Sequence, residues 1–501
     1  MLFTTAPFVV LFLPLTLLGF FSVGKYSTTG AAAGLFAASL FFYGWWMPVF
    51  TLLLAGSICI NFYIGLRIAD GLPAAAAKPA PASRRRAKAW LVLGIVANLA
   101  LLGYFKYANF FIDNLNLVLG SQWDIGRIVL PIGISFYSFT QIAYLVDTQR
   151  AKVREAKFIH YGLFVTYFPH LVAGPVLHHA QMMPQFANPA IYRFNGGHFV
   201  AGLAIFAIGL LKKVVLADGI APYADAVFKP ADLGLTPDLA EAWLGTLAYT
   251  LQLYFDFSGY SDMAIGLSWM FNVRLPFNFD SPYRATSISD FWRRWHISLS
   301  NFLRDYLYIA LGGNRHGSAR RYANLAATML LGGLWHGASW SFVLWGGLHG
   351  LYLMLNHGWR ALCGPVRCAR LDQSRIFALS GWAVTLLAVM LAWVFFRAET
   401  LPGALRMLHG LAGQQARGTP HALLWNAGLQ PGAGALWCGV LGAIACLAPN
   451  SNHIGAALLA RVRHGALTRG FVGGLAGATV LLLVVVNTAR DSISAFIYFN
   501  F

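Results

Sequence analysis

Apolar runs long enough to cross a lipid bilayer recur along almost the whole chain. A helix needs about 20 predominantly apolar residues to span a hydrocarbon core about 30 Å thick. Such runs lie at 7–24, 31–46, 48–68, 89–109, 128–146, 158–176, 198–217, 240–257, 376–396, 432–448 and 470–488. Because helices satisfy their own backbone groups in lipid, the pattern predicts an all-α polytopic membrane protein.

Lysine and arginine concentrate in the short loops between these runs. The loop 67–88 holds six basic residues and one acidic residue, and its stretch PAAAAKPAPAS is typical of a flexible linker. Cytoplasmic loops carry such an excess of positive charge. We therefore expect 67–88, 150–157, 212–213, 360–375 and 461–469 on the cytoplasmic side of the membrane, and both chain termini on the opposite side.

Composition excludes several other classes. The chain is 58% hydrophobic and 11% charged, whereas a soluble domain has about 25% charged residues. The net charge of +18 lies in interhelical loops, so it does not indicate nucleic-acid binding. The five cysteines give no disulfide or zinc pattern, and we expect no metal site. The first run lacks a basic n-region, so we expect a retained helix rather than a signal peptide.

Segment 274–324 combines positive charge with aromatic residues. It contains eight arginines and three aspartates, a net charge of +5, which places it on the cytoplasmic side at the membrane interface. Ser287 and Asp290 have capping-box spacing, so we expect one helix from there to about Leu311, ended by Gly312 and Gly313. Four of its residues would share one face: Trp292, His296, Ser300 and Leu303.

Two further runs, ending at Trp335 and beginning at Ala338, predict a hairpin that enters the membrane and returns. A helix from Ala323 to Trp335 rises about 20 Å, against a core of about 30 Å. His336 would then lie deep in the membrane, where a polar group usually serves function. His349 lies thirteen residues on, about 220° around a continuous helix, so we assign it a structural role.

Other polar residues have competing interpretations. His296, in a Trp- and Arg-rich setting, is either an interfacial anchor or a residue at the cytoplasmic mouth of a channel to His336. The run YFDFSGYSD and the Trp beside His336 supply tunnel or structural polar groups: Asp256, Ser258, Tyr260, Asp262 and Trp335. For the two carboxylates we favour ion pairs with the arginines of 274–304. The chain has neither a Walker lysine nor a G-x-S-x-G elbow.

Long motifs in this chain resemble those of the membrane-bound O-acyltransferases, in the bacterial branch that acetylates alginate and cellulose. They are LPIGISFYSFTQIAYLVD (130–147), YFPHLVAGPV (167–176), LKKVVLAD (211–218), FDFSGYSDMAIGL (255–267), SISDFWRRWHISLSNFLRDYLYIALGG (287–313), LWHGASWSFVLWGGLHG (334–350) and the final FIYFNF. The departures are small: FPHL stands where a Gln is common before Leu, and YIALGG where YIPLGG is usual.

The resemblance implies a single membrane domain over 1–501, with its core at 128–356 and peripheral helices at 1–127 and 376–501. It also implies a ring of transmembrane helices with re-entrant helices and a cytoplasmic funnel, set in a bacterial inner membrane, so that both termini would be periplasmic. In such a protein His336 would be the catalytic histidine and His296 the second histidine. Because His296 is placed at the cytoplasmic side and His336 deep in the membrane, we expect an entrance and an end point rather than adjoining rings.

The implied activity is acetyl transfer from cytoplasmic acetyl-CoA toward an extracytoplasmic, SGNH-hydrolase-like partner acyltransferase that modifies an exopolysaccharide, with no permanently bound cofactor. We expect six residues to line the donor funnel: Trp292, Arg293, Arg294, Trp295, Ser300 and Arg304. Their arginines would attract the donor phosphates. Transfer of D-alanine or another acyl group, and a non-catalytic polymer or solute transporter, are the alternatives. The polymer, the partner and the oligomeric state are not encoded in these motifs.

Overall fold

The computed structural model describes residues 1–72, 80–150, 157–414, 421–489 and 496–497. The predicted linker falls largely on 73–79, outside this part, as do most of loop 150–157 and most of the C-terminal motif. Throughout the described residues the chain forms helices, and none of them forms a strand. The all-α prediction is confirmed.

Helices α1 to α23 follow one another in chain order. They are Leu13–Gly24, Thr28–Gly44, Pro48–Asp70, Pro81–Leu102, Ala108–Leu119, Ile134–Gln149, Phe158–Thr166, Phe168–Leu171, His179–Ala187, Gly196–Leu211, Asp218–Asp232, Leu239–Met270, Ile288–Arg294, Ile297–Phe302, Gly317–His336, Trp340–Cys363, Pro365–Asp372, Arg375–Arg397, Leu401–Leu411, Ala422–Asn426, Pro431–Leu447, Ser451–His464 and Ala466–Thr488. Wider π turns cover Pro7–Phe12, Gly103–Tyr107, Lys212–Ala217 and Leu303–Tyr308, and 3₁₀ turns cover Pro189–Tyr192 and Pro282–Arg284.

Six helical stretches in the described residues are long and apolar enough to cross a bilayer. They are Pro7–Gly24, Pro48–Asp70, Pro81–Leu119, Gly196–Asp232, Arg375–Arg397 and Ala466–Thr488. A seventh candidate is the pair α21 and α22, which is bent by 58°. The chain is therefore a multi-pass membrane protein, as predicted.

Some predicted spans are shorter or broken. The run 158–176 is not one helix, because α7 ends at Thr166 and the four-residue α8 starts at Phe168. Tyr167 between them has φ −46° and ψ 106°, just before Pro169, which cannot continue a helical hydrogen-bond ladder. The run 240–257 instead belongs to the 32-residue helix α12.

The described residues fall into two compact units, and α12 contributes to both. The first unit comprises Met1–Leu210, Tyr260–Pro276 and Gly455–Phe499. Within it α10 meets the second half of α12 backbone to backbone, since a Cβ on Gly202 would lie 2.5 Å from the Gly266 carbonyl oxygen. The prediction of one domain over 1–501 stays a prediction.

The second unit comprises Leu211–Gly259, Phe277–Ile454 and Asn500–Phe501, and contains every helix from α13 to α21. Its central feature is the hairpin of α15 and α16, which was predicted from the two apolar runs. The helices touch at two glycines: a Cβ on Gly333 would lie 2.2 Å from the Phe342 carbonyl oxygen, and one on Gly346 would lie 2.3 Å from the Met329 carbonyl oxygen. Small residues permit this close approach in membrane helices.

This crossing predicts a sharp difference between two glycines of α16. Gly346→Ala should destabilise the protein, because overpacking against backbone costs about 1–3 kcal/mol. Gly358→Ala is the matched control, since nothing lies within 4 Å of a Cβ there. The control should be neutral or slightly stabilising, because alanine is the better helix former. Thermal midpoints of the detergent-purified variants measure the effect, and equal midpoints would contradict the crossing.

Candidate active site

His336 is the last residue of α15, at the tip of the hairpin. Gly337 follows in an extended conformation, and a Cβ on it would lie 2.1 Å from the Phe342 ring, so only glycine fits there without movement. The chain turns through Ser339 into α16. His336 is only 3% exposed, and its position is set by this tight turn.

Aromatic rings enclose His336. The ring centroids of Trp335 and Trp345 each lie 5.0 Å from that of the imidazole, and the Phe396 ring lies at 5.3 Å. Trp345 comes from α16 and Phe396 from α18, so three helices contribute to the enclosure. Aromatic walls of this kind exclude water and fix the imidazole plane.

His296 lies at a break in the helix that was predicted to run from Ser287 to about Leu311. The predicted helix start is confirmed, because Ser287 is the N-cap and its hydroxyl accepts a hydrogen bond from the Asp290 N–H at 3.2 Å. The single helix is wrong: Trp295 is extended and His296 is left-handed, with φ 45° and ψ 52°. Three pieces replace it, namely α13, α14 and the π turn Leu303–Tyr308.

The break exists because residues 278–280 run beside it. The Ile297 N–H donates to the Asn278 carbonyl at 3.0 Å, and the Asp280 N–H donates to the Arg294 carbonyl at 2.9 Å. These bonds replace those that a continuous helix would make. His296, Trp292 and Ser300 therefore do not share one helical face, as the continuous helix required.

The Asn278 side chain determines the tautomer of His296. Its Oδ1 accepts from the Ser298 N–H at 3.2 Å and from the Ser298 hydroxyl at 2.8 Å, and it lies 3.1 Å from His296 Nδ1. Because this oxygen only accepts, Nδ1 carries the proton and Nε2 holds the lone pair. Burial lowers the pKa of His296 to about 3, so the ring is neutral near pH 7.

The two histidines are neighbours. Their ring centroids lie 6.4 Å apart, and the His296 ring also meets Phe257 edge-on at 4.8 Å. His296 is fully buried. The expectation of a distant entrance and end point is therefore wrong, because the break at Trp295 turns the His296 ring toward the hairpin tip instead of leaving it on an interfacial helix.

His349 also belongs to this cluster. The helical-wheel argument that separated it from His336 assumed one continuous helix, whereas α15 ends at His336 and α16 begins at Trp340. His349 Nδ1 accepts from Trp292 Nε1 at 3.3 Å, and its ring lies 4.9 Å from that of Trp345. The Trp345 ring thus contacts both His336 and His349.

The predicted donor-funnel residues divide into different environments. Trp295 is buried and stacks on Phe291 at 5.6 Å, and the Ser300 hydroxyl donates to the Trp295 carbonyl at 3.4 Å. Two of the three arginines have carboxylate partners. Arg294 pairs with Asp290 at 3.0 Å and Asp280 at 3.7 Å, and Arg304 binds Asp305 at 2.7 Å. Arg293 is exposed and lines a separate cleft.

The run YFDFSGYSD is divided between the two units. In the second unit Asp256 forms a buried ion pair with Lys213 at 2.7 Å, and Lys213 also binds Asp218 at 2.8 Å. Ion pairing was predicted, but its partner is a lysine rather than the arginines of 274–304. Ser258 is buried on the same helix.

Tyr260 and Asp262 belong to the first unit. There the Tyr260 ring stacks on Phe3 at 5.1 Å and meets Phe496 at 4.4 Å, while Asp262 is 4% exposed. Both side chains are therefore part of the interior of that unit.

One group of metal-ligand type occurs in the described residues, Asp238, Glu241 and His421. Its carboxylates already serve as caps. Glu241 accepts from the backbone N–H of Leu423 and Leu424, and Asp238 accepts from those of Glu241 and His421. These bonds account for the clustering without an ion.

Sequence reasoning missed Asn278 and Phe396 because neither adjoins the histidine motifs in the chain. Their roles follow from tertiary contacts that no local pattern encodes. Trp345 and His349 carried a usable signal, since they are four residues apart in a helical segment and so share a face.

These contacts define a multi-pass membrane protein with a buried cluster of histidines at the tip of a helical hairpin. The family model for the membrane-bound O-acyltransferases matches residues 90–398, which include His296 and His336. The chain belongs to the membrane-bound O-acyltransferase family, and it is therefore an acyltransferase.

Its relatives include enzymes for different polymers. The chain is 43% identical over 440 residues to the peptidoglycan O-acetyltransferase of Helicobacter pylori, covering 82% of this chain and 80% of that protein. It is 45% identical over 413 residues to a probable alginate O-acetylase of Azotobacter vinelandii, covering 81% and 77%. A probable alginate O-acetylase of Pseudomonas aeruginosa is 44% identical over 419 residues, covering 82% and 75%.

The bonds to Asn278 predict that Asn278→Ala destabilises the site. It would leave three buried donors without their acceptor, and each unsatisfied group costs about 1–3 kcal/mol. Asn301→Ala, at a half-buried position of α14, is the control. Thermal midpoints in detergent should fall for Asn278→Ala alone. A midpoint equal to that of the control would mean that the donors find other acceptors.

The buried ion pairs predict a second stability effect. Lys213→Met should cost about 3–5 kcal/mol, since it leaves two carboxylates buried without their cation. Lys229→Met is the control, because the Lys229–Asp225 pair is exposed and such pairs contribute about 0–1 kcal/mol. Adding Asp256→Asn and Asp218→Asn to Lys213→Met should restore part of the thermal midpoint. No restoration would argue against a charge effect.

Proposed function

We propose that this chain transfers an acetyl group from cytoplasmic acetyl-CoA to a hydroxyl acceptor, as the membrane component of a system that O-acetylates an extracytoplasmic polysaccharide. The observation that carries the proposal is the enclosed His336, adjoined by a neutral His296, at the tip of a hairpin within the family region. Relatives named as alginate and peptidoglycan O-acetylating enzymes support acetyl as the acyl group.

His336 acts as the general base. The acceptor oxygen forms a bond to the thioester carbonyl carbon while His336 takes the hydroxyl proton. The carbon–sulfur bond then breaks, and coenzyme A leaves as a thiolate that receives the proton from His336. The aromatic enclosure restricts water, which would otherwise compete with the acceptor and hydrolyse the thioester.

His296 positions the reacting groups. Asn278 holds its Nδ1–H, so the Nε2 lone pair has a fixed direction and can accept a hydrogen bond from the donor or the acceptor hydroxyl. A neutral ring suits this role, because a protonated ring would present only donors. Trp292 on α13, Trp295 at the break after α13 and Ser300 on α14 then form the donor side of the site.

The acceptor side faces outward in this proposal. A serine-type hydroxyl of an SGNH-hydrolase-like partner would take the acetyl group and pass it to the polymer in the periplasm. Relatives named for alginate and for peptidoglycan resemble this chain to a similar degree, so overall similarity does not single out the polymer. The partner and the export machinery would make that selection.

The catalytic assignment predicts an ordered loss of activity. His336→Ala should reduce acetyl transfer by about 10²–10⁴-fold, the usual contribution of a general base. His296→Gln, which keeps a polar group, should lose less. His453→Ala, at an exposed position, is the control and should retain activity. Acetyl-CoA turnover by the purified full-length protein with a supplied acceptor, and polymer O-acetyl content in cells, measure the effect.

Four outcomes would contradict the proposal or one of its assignments. If membrane-inserted His336→Ala still transfers acetyl groups at the wild-type rate, His336 is not the general base. If the wild-type protein leaves acetyl-CoA unchanged but uses a D-alanyl carrier, the proposed acyl donor is wrong. If it moves polymer without acylation, the proposed reaction is wrong. Equal and complete loss in His336→Ala and His296→Gln would mean that both rings take part in proton transfer.

A further inference from the structure

A cleft of about 650 Å³ lies in the second unit, between α13, α16, α17 and α18. Its walls are mainly apolar and include Leu355, Trp359, Phe377 and Val384. Sites for small molecules have volumes of about 300–1,000 Å³, so this cleft is large enough for a ligand.

One end of the cleft is basic. Arg293 from α13 and Arg360 from α16 line it. Their positive charges, with that of Arg321 on α15, all reach His357 electrostatically, so the three guanidinium groups belong to one basic region. After burial, their positive charge lowers the pKa of His357 further. The described lining of the cleft contains Arg293, Arg360 and one carboxylate, Asp290, which also pairs with Arg294 at 3.0 Å, so the net charge of the lining is positive. The basic end therefore suits an anion.

The rim of the cleft is apolar and exposed. Val384 on the candidate span α18 is 67% exposed. On α16, Leu355 is 61% and Trp359 52% exposed. Large apolar side chains exposed on a transmembrane helix face acyl chains, so the cleft opens to the lipid phase.

We propose that this cleft binds one anionic phospholipid, with the headgroup phosphate at Arg293 and Arg360 and an acyl chain along the apolar wall of α18. Basic pockets between transmembrane helices recognise anionic headgroups in this way. A guanidinium suits the phosphate because it donates two parallel hydrogen bonds. The lipid would join α13, which precedes His296, to α16 and α18, which enclose His336.

The geometry favours a lipid over the acyl donor as the occupant. A donor must bring its thioester to His336, yet the lining residues described for this cleft include neither His336 nor His296. Beside the cleft, the Ser289 hydroxyl of α13 donates a hydrogen bond to Asn356 Oδ1 of α16 at 2.7 Å. A lipid in the cleft would hold the same two helices together. A soluble nucleotide would gain nothing from the apolar exposed rim.

Native mass spectrometry of the full-length protein in detergent tests the proposal. Titration with phosphatidylglycerol should give one retained lipid per chain, and phosphatidylcholine with the same acyl chains should bind more weakly. Each arginine near an anionic headgroup contributes about 1 kcal/mol, which corresponds to about five-fold in affinity. Arg360→Gln should therefore weaken phosphatidylglycerol binding about five-fold, and Arg293→Gln with Arg360→Gln about 25-fold.

Two further variants separate the headgroup from the chain. Arg315→Gln removes an exposed arginine outside the cleft and should leave the affinity unchanged. Ala388→Phe fills the wall of the cleft without touching its arginines, and it should weaken both lipids alike. The proposal would be overturned if the wild type bound phosphatidylglycerol and phosphatidylcholine equally, or if the double variant bound phosphatidylglycerol as tightly as the wild type does. Displacement of phosphatidylglycerol by acetyl-CoA would also overturn it, since the cleft would then belong to the donor.

Discussion

One amide oxygen, Oδ1 of Asn278, fixes the backbone on which the histidine cluster depends. It receives hydrogen bonds from the N–H and the hydroxyl of Ser298, and it orders the ring of His296. The Ser298 N–H is one of the donors that a helix start leaves without a partner, so Asn278 caps α14 from a distant part of the chain. A left-handed histidine at such a start is uncommon, and this network supports it.

Some features of this structure depend on residues close together in the chain and others on contacts between distant residues, and only the first kind could be predicted from the sequence. Apolar length is a local property, so the multi-pass, all-helical fold was predictable, as was the helix start capped by Ser287. The break at Trp295 depends on residues 278–280, which pair with it across an intervening turn. Helical periodicity contains no information about that pairing. The continuous helix, and the shared face drawn on it, failed for this reason.

The buried charges show the same difference between what is local and what depends on tertiary packing. A carboxylate in an apolar setting needs a cation, so an ion pair for Asp256 followed from its surroundings. Which cation it meets depends on packing, and Lys213 of a π turn reaches it. Likewise, the position of His349 relative to His336 could not be computed from their separation, because the intervening turn at Gly337 resets the helical phase.

The placement of His336 as the final residue of α15 has an electrostatic consequence. The aligned peptide dipoles of a helix leave a partial negative charge at its carboxyl end, and this charge favours a cation there by about 0.3–1 kcal/mol. An imidazole that accepts a proton at that position becomes a cation where the helix already offers compensation. In the proposed mechanism the hairpin would therefore do more than bring His336 to its tip: α15 would stabilise the charge that appears on the ring when the acceptor hydroxyl is deprotonated.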